Sequence, residues 1–476
     1  MTSILNRGLL EKGGTPMSYD FLKEAKERKS DFLRDLEGLI AHPSLLDLEN
    51  AKEGAPFGPA LKNTLEHTLA MAEKDGFKTH NIDGYAGIIE FGEGDEIVGM
   101  LGHLDVVPVG EGWTTDPFTM IEKDGYIFGR GVRDDKGPTM AAYYAMKILR
   151  DLNVPLKRKI YLIVGCDEES GMRCMAYYKE HAPLPNFGFV PDATFPVVYG
   201  EKGILHLRYS LEMPTIVTKM ALGERPNIVI GRASATVSAG VEEDKFAAYL
   251  EEHHLTGEAI GKENTAEYHI VGEFAHAARP EKGVNAGWHM MNFIGETYQD
   301  AMCQKLAYLL AHTDGTNMNI ANPGSHMGPL TMNLGILNIS STHCDFVIDI
   351  RYPNDTDADT IKKAIMDSFK AHDLAIKEEV LSSKVPLFVD PENHLVKTLE
   401  SCYREFSGDY ETPLQTMGGG TYARTLDNFV AFGTVFPTHD RPDHIGDAHQ
   451  ADEGTLVDDL LTACAIYAAA LEKLTK

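Results

Sequence analysis

Between Tyr19 and about Ile40, apolar side chains return every three or four positions (Phe21, Leu22, Ala25, Phe32, Leu36, Leu39), which predicts an amphipathic helix. A second helix is expected over residues 58–75, with Gly76 just past its end, where a left-handed residue closes the last turn. The texture then changes to apolar runs of strand length: AGIIEFG, EIVGMLGHLD, KIYLIVGCDEE and NFGFVPDA. A helical segment, GPTMAAYYAMKILRDL, separates the second run from the third. Strands alternating with helices predict an α/β domain, its mainly parallel sheet buried and flanked by helices.

From about Glu201 the segments ILHLRYSLEM, AEYHIVGEFAHA and HCDFVIDIRYP alternate apolar with polar, as antiparallel strands with one exposed face do. Helices are expected over 244–253, 284–310 and 357–372. This stretch reads as an α+β domain inserted into the first. Beyond it lie a glycine-rich loop, TMGGGTYA, and a long helix, GTLVDDLLTACAIYAAALEKL. The expected organisation is a leader or extension over 1–16, a main domain in two segments (17–201 and 385–476), and an insert over 202–384.

Charge removes one class of partner. With 44 Lys+Arg against 71 Asp+Glu, a net charge of −27, the chain lacks the basic excess of a nucleic-acid binder. Apolar residues at 43% and charged residues at 24% describe an ordinary soluble globular protein, and no apolar run approaches the ~20 residues of a membrane helix. Cys166, Cys174, Cys303, Cys344, Cys402 and Cys464 are scattered without C-x-x-C spacing. Neither a zinc ribbon nor a disulfide framework is expected, and a reduced, cytoplasmic setting fits.

The signatures H-E-x-x-H, G-x-S-x-G, G-x-x-x-x-G-K-[ST] and G-x-G-x-x-G are missing. Instead, acids and histidines gather at strand ends. His103 and Asp105 end one apolar run, Asp167, Glu168 and Glu169 another, and Asp192 a third. Sites in open α/β sheets lie beyond the C-terminal ends of strands, so the three clusters are expected at one edge. The two-residue spacing of His103 and Asp105 puts both on one face of a strand, either for metal binding or as a structural pair. In GRGVRDDKGPTMAAYY one aspartate suffices to cap the helix, and a capping Asp135 leaves Asp134 to face the cleft. The acids of CDEES suit a surface turn, but at a buried edge they repel unless a cation or proton neutralises them. An adjacent glutamate pair lets one hold metal while the other moves protons. Asp192 and His449 say little singly. Together, His103, Asp134, Glu169, Asp192 and His449 form an N/O-only set suited to two divalent ions, zinc first, with manganese or cobalt as alternatives.

The ordered series GHLDVVP, WTTDPF, GRGVRDDKGP, CDEES, VPDA, GEFAHAARPEKGVNA, TMGGGTYA and AHQADE resembles the carboxypeptidase G/aminoacylase family of dinuclear metallohydrolases, and within it the PepV-type dipeptidases. The likeness runs from about Met17 to the C-terminus. It implies a catalytic domain in the two outer segments and a lid in the insert. By the same resemblance His103 and Asp192 hold one ion, Glu169 and His449 the other, and Asp134 bridges them, following the pattern R-G-x-x-D-x-K-G. Asp105 orients His103, and Glu168 is the general base. His276 matches a lid histidine that stabilises the oxyanion. Arg351, in IDIRYP, matches a lid arginine for a substrate carboxylate, although a strand-end arginine also suits a surface ion pair. Asn227 matches a lid asparagine for the same substrate end, but GERPNIVIG departs from the family pattern. Gly418, Gly419 and Gly420 either let backbone amides approach substrate or form a flexible turn. The implied activity is hydrolysis of dipeptides by a monomer, since PepV-type lids supply the histidine within one chain. The rivals are an N-acyl amino acid deacylase or desuccinylase, a two-metal phosphoesterase, and a metal-binding protein without activity, against which Glu168 argues.

Overall fold

The strand Ile97–His103 is buried along its whole length and Lys159–Gly165 nearly so, as befits strands covered on both faces. They pair in parallel, with His103 opposite Gly165, and Ile97–His103 also pairs in parallel with Phe187–Val190. Beyond Lys159–Gly165 lie Ala86–Phe91 and Lys78–Ile82, both antiparallel to their neighbours. That outer pair is a hairpin turned at Asp83 and Gly84, both at positive φ (49° and 78°), as an Asp-Gly turn requires. The parallel centre carries the consequence for function: three adjacent strands end at the same edge.

The structure, a computed structural model, describes residues 19–262 and 264–476, so the expected 1–16 leader lies outside the described residues. The chain falls into two units. The first holds the described residues up to Phe195 with Thr398–Glu411 and Gly433–Lys476, and the second holds Pro196–Lys397 with Thr412–Phe432.

In the first unit, helices Lys136–Asp151 and Val457–Leu474 pack together. Their buried alanines, among them Ala141, Ala145, Ala465 and Ala469, let the backbones approach closely. The single helix expected over 19–40 is two, Phe21–Glu27 and Lys29–Ile40. The break falls at Arg28 (φ −93°, ψ 5°), whose guanidinium reaches Glu24 and Asp151. The next helix, Pro59–Lys74, ends as expected, with Gly76 at φ 86° past its cap.

The second unit is built on an eight-stranded sheet in the order Thr256–Lys262, Thr265–Val271, Arg232–Val237, Val217–Leu222, Thr331–Ser340, His343–Tyr352, Gly203–Glu212 and Ile376–Lys384. Every pairing is antiparallel. Gly203–Glu212 alternates buried with half-buried positions, the one-sided pattern read from its sequence. Residues 284–310 form two helices, Ala286–Tyr298 and Ala301–Leu309. Gln299 turns left-handed (φ 54°) between them, and Asp300 caps the second by accepting from the Cys303 N–H. The strand in AEYHIVGEFAHA stops at Val271, and the residues that follow form loop.

Candidate metal centre and active site

The three strand ends converge as their order requires. His103 closes its strand with its side chain fully buried. Its Nδ1 lies 2.9 Å from the Asp105 backbone carbonyl and 3.5 Å from that residue's carboxylate, so Nδ1 carries the proton and donates. The lone pair of Nε2 then faces carboxylate oxygens of Asp134 at 3.1 Å and Asp192 at 3.8 Å. Lone pairs turned toward one another are stable only with a cation or an added proton between them. The residues therefore fit a metal ion on their own geometry.

Asp134 serves both histidines. Its Oδ1 meets His103, and its Oδ2 lies 3.0 Å from His449 Nε2. The same His449 nitrogen is 3.1 Å from Glu169. Ligand atoms of His103, Asp134 and Glu169 all lie within 4.8 Å of one another. Burial raises the Asp134 pKa, but hydrogen bonds with both imidazoles outweigh it and hold the carboxyl well below its ordinary range. Those contacts push His449 up to about 10, through Asp134 first and Glu169 second. Glu168, unlike Asp134, is pushed up to about 8, because it is buried and surrounded by Glu169, Asp105 and Asp134.

The acid triplet is sorted by its partners. Asp167 is fully buried and takes the Arg173 guanidinium at 2.6 and 2.7 Å. Asp105 accepts the backbone N–H of Glu168 on one oxygen and that of Glu169 on the other, each at 3.0 Å. Asp105 thus bridges two strand ends, holding His103 through its carbonyl and the glutamate turn through its carboxylate. Asp135 stands at the helix start, but its side chain caps nothing there. Its Oδ2 accepts instead from the His103 N–H at 3.0 Å and the Thr139 hydroxyl at 2.9 Å. The cap expected of Asp135 is thereby corrected: its side chain satisfies the buried His103 N–H, and the helix start, itself buried, is served by backbone instead, the Gly137 N–H donating to the Gly131 carbonyl at 2.9 Å.

The second unit gathers the remaining predicted residues. Ile228 faces His276 across a short antiparallel bridge, and the Ala277 N–H bonds the Asn227 carbonyl at 2.9 Å. The Ala278 N–H donates to His276 Nδ1 at 3.1 Å, so the neutral ring carries its proton on Nε2. Burial first, and Arg351 second, lower the His276 pKa and keep it neutral. Arg351 is buried, which excludes the surface ion pair. Its Nε and Nη2 grip Asp349 at 2.6 and 2.7 Å, and Nη1 donates to the Gly418 carbonyl at 3.0 Å. Among the described residues, three of its five guanidinium N–H groups are engaged and two remain, one on each Nη.

The glycine loop is pinned. Arg424 donates to the Gly419 carbonyl at 3.0 Å and to Glu201 at 2.9 Å, and Glu201 also accepts from Thr421. A Cβ on Gly420 would lie 2.1 Å from Arg424 Nη2, so only glycine fits there. The sequence reading missed Asp349, His206, Glu201, Arg424 and Glu453. Asp349 and Arg351 carry the same two-residue spacing that marked His103 and Asp105, and Glu453 sits inside the quoted AHQADE.

A parallel sheet edge bearing imidazole and carboxylate ligands, with an adjacent second glutamate, fits the class of metal-dependent hydrolases. Comparison with known proteins agrees. The model of peptidase family M20/M25/M40 matches residues 99–473, and the chain belongs to that family of peptide hydrolases. A Bacillus subtilis protein, YtjP, whose name assigns it provisionally to the dipeptidases, is 37% identical over 469 residues, covering 95% of this chain and 99% of its own. A Staphylococcus haemolyticus protein named in the same way is 35% identical over 472 residues, covering 95% and 98%. Human carnosine dipeptidase 1 shares the fold, with a TM-score of 0.55 at 14% identity over 96% of this chain and 99% of the other. Among the described residues, no helix is long and apolar enough to cross a membrane.

Proposed function

We propose that this chain hydrolyses dipeptides with a free amine and a free carboxylate, using two divalent ions, zinc first among them. The observation that carries the reading is Asp134, whose two oxygens each meet a different histidine. His103, Asp192 and Asp134 would hold one ion, and His449, Glu169 and Asp134 the other. Bound there, the ions would supply Lewis acidity and lower the pKa of an attacking water. Glu168 accepts that water's proton and later returns it to the departing amine, which must be protonated to leave. Its raised pKa suits a group that passes a proton in both directions near neutral pH. His276, neutral with its proton on Nε2, donates to the oxyanion that develops on the scissile carbonyl. The two remaining N–H groups of Arg351 match the two oxygens of a substrate carboxylate.

The names of the relatives support the substrate class. As the PepV-type resemblance implies, the reading assigns activity to a monomer, in a reducing, cytoplasmic setting that suits its buried thiols. The test is metal analysis with a dipeptide panel, before and after chelation. Ala-Ala and β-Ala-His should be cleaved, and N-acetyl and N-succinyl amino acids and phosphate esters should not. Glu168→Ala should retain both ions and lose about 10²–10⁴-fold in kcat. Unchanged turnover in that variant would overturn the mechanism.

A further inference from the structure

One buried carboxylate outside the proposed ligand set joins two of the loops that carry ligands. Glu453 is completely shielded from solvent. Its Oε1 accepts three backbone N–H groups, from Gly131 at 3.0 Å, Arg133 at 2.9 Å and Asp134 at 3.2 Å. Its Oε2 takes Arg130 Nη1 at 2.6 Å. The main chain repeats the grip: the Glu453 carbonyl accepts the Gly129 N–H at 3.1 Å, and Glu453 bridges Gly446 within its own loop. Segment 129–134, which delivers Asp134, is thus held along its length by the residue four positions after His449.

The chemistry favours a carboxylate here. Segment 129–134 is neither helix nor strand, so its N–H groups have no ladder to enter. Three donors converging on one oxygen suit an anion, and without it they become buried orphans. Arg130 anchors the other oxygen and is itself fixed, through the Val109 carbonyl at 3.2 Å and the face of Trp113 at 5.2 Å. Among the described residues, Glu453 bonds no proposed ligand side chain and reaches Asp134 through that residue's backbone N–H.

We infer that Glu453 is a positioning residue of the metal centre: it locks the Asp134 backbone to the loop bearing His449, so that one aspartate can serve both ion positions. This rests on the proposed metal-holding role of Asp134 and His449. Shifting either loop against the other removes the shared ligand from one imidazole, and the two positions lose their link.

The test uses the full chain, stripped by chelation and titrated with Co²⁺, read by calorimetry and visible absorption. Wild type should take up two ions. Glu453→Gln, which loses the charge facing Arg130, and Glu453→Asp, which keeps it but withdraws the oxygens by one methylene, should each bind at least one ion about tenfold or more weakly. Their cobalt spectra should differ from wild type, with far-UV circular dichroism unchanged. If the glutamine variant fails to fold, the aspartate variant decides. Tyr178→Phe, which loses a hydrogen bond to the Pro183 carbonyl, controls for plain destabilisation and should bind both ions normally. Wild type binding fewer than two ions would refute the dinuclear reading itself. Wild type binding two, with folded Glu453 variants matching its affinity and spectrum, would overturn this inference alone.

Discussion

Glu168 and Glu169 are chain neighbours whose backbones hang from the two oxygens of one aspartate, Asp105. Crowding of this kind has a pH signature. Burial raises Glu168 and Asp135 to about 8 and Glu453 to about 7. A carboxyl whose folded pKa is raised stabilises the fold below its unfolded value, and that contribution fades as pH climbs toward the folded value. The metal-free protein should therefore lose stability from about pH 4.5 to 7. Above that window Lys136, lowered to about 7 by burial, works in the opposite sense. A divalent ion neutralises the same charges, so denaturant midpoints with and without chelator should diverge across the window; parallel curves would contradict this. Arg351 gives a second prediction. Replacing it with Met leaves Asp349 buried with His206 as partner, which should cost about 3–5 kcal/mol by urea unfolding, and Asp349→Leu in the same chain should recover most of it. At this scale the gathering of His103 and Glu169 was legible because polar groups closing an apolar run are chemically conspicuous, and Asp134 stood out as the second aspartate beside a helix start that one aspartate suffices to cap. Glu453 was not legible, because its partners are backbone groups and an arginine more than three hundred residues away, and Asp349 was passed over although its partner Arg351 stands only two residues on.

Elements decide where those residues meet. The convergence at the sheet edge was legible because strand ends in a parallel sheet share a direction. The hairpin of Lys78–Ile82 and Ala86–Phe91 went unread although its Asp-Gly turn was in plain view, and the breaks at Arg28 and Gln299 were hidden by apolar spacing that continues across them. Gly102 shows how tightly strand and helix are joined. A Cβ there would stand 2.0 Å from the Thr139 hydroxyl and 2.9 Å from an Asp135 oxygen. Those atoms bond each other and brace His103, so neither can simply rotate away. Gly102→Ala should lower stability by about 1–3 kcal/mol and weaken metal binding, measured by urea unfolding and cobalt titration. A variant with wild-type values in both would show that the helix start yields freely.

Across the whole molecule, the insert expected over 202–384 falls within the second unit, but the membership of 385–397 and 412–432 was not legible. The latter assignment depends on contacts such as Glu201 with Arg424, more than two hundred residues apart. A fragment of 196–397 lacks both Thr421 and Arg424 and strands the Glu201 carboxylate. It should unfold at lower urea than a fragment of 196–432, and equal midpoints would refute the role given to that pair. The chain passes between the units at 195/196, 397/398, 411/412 and 432/433. The second unit, exchanged between relatives as the contiguous block 196–397, would consequently arrive without its own glycine loop, and a working chimera must transplant two separate stretches together.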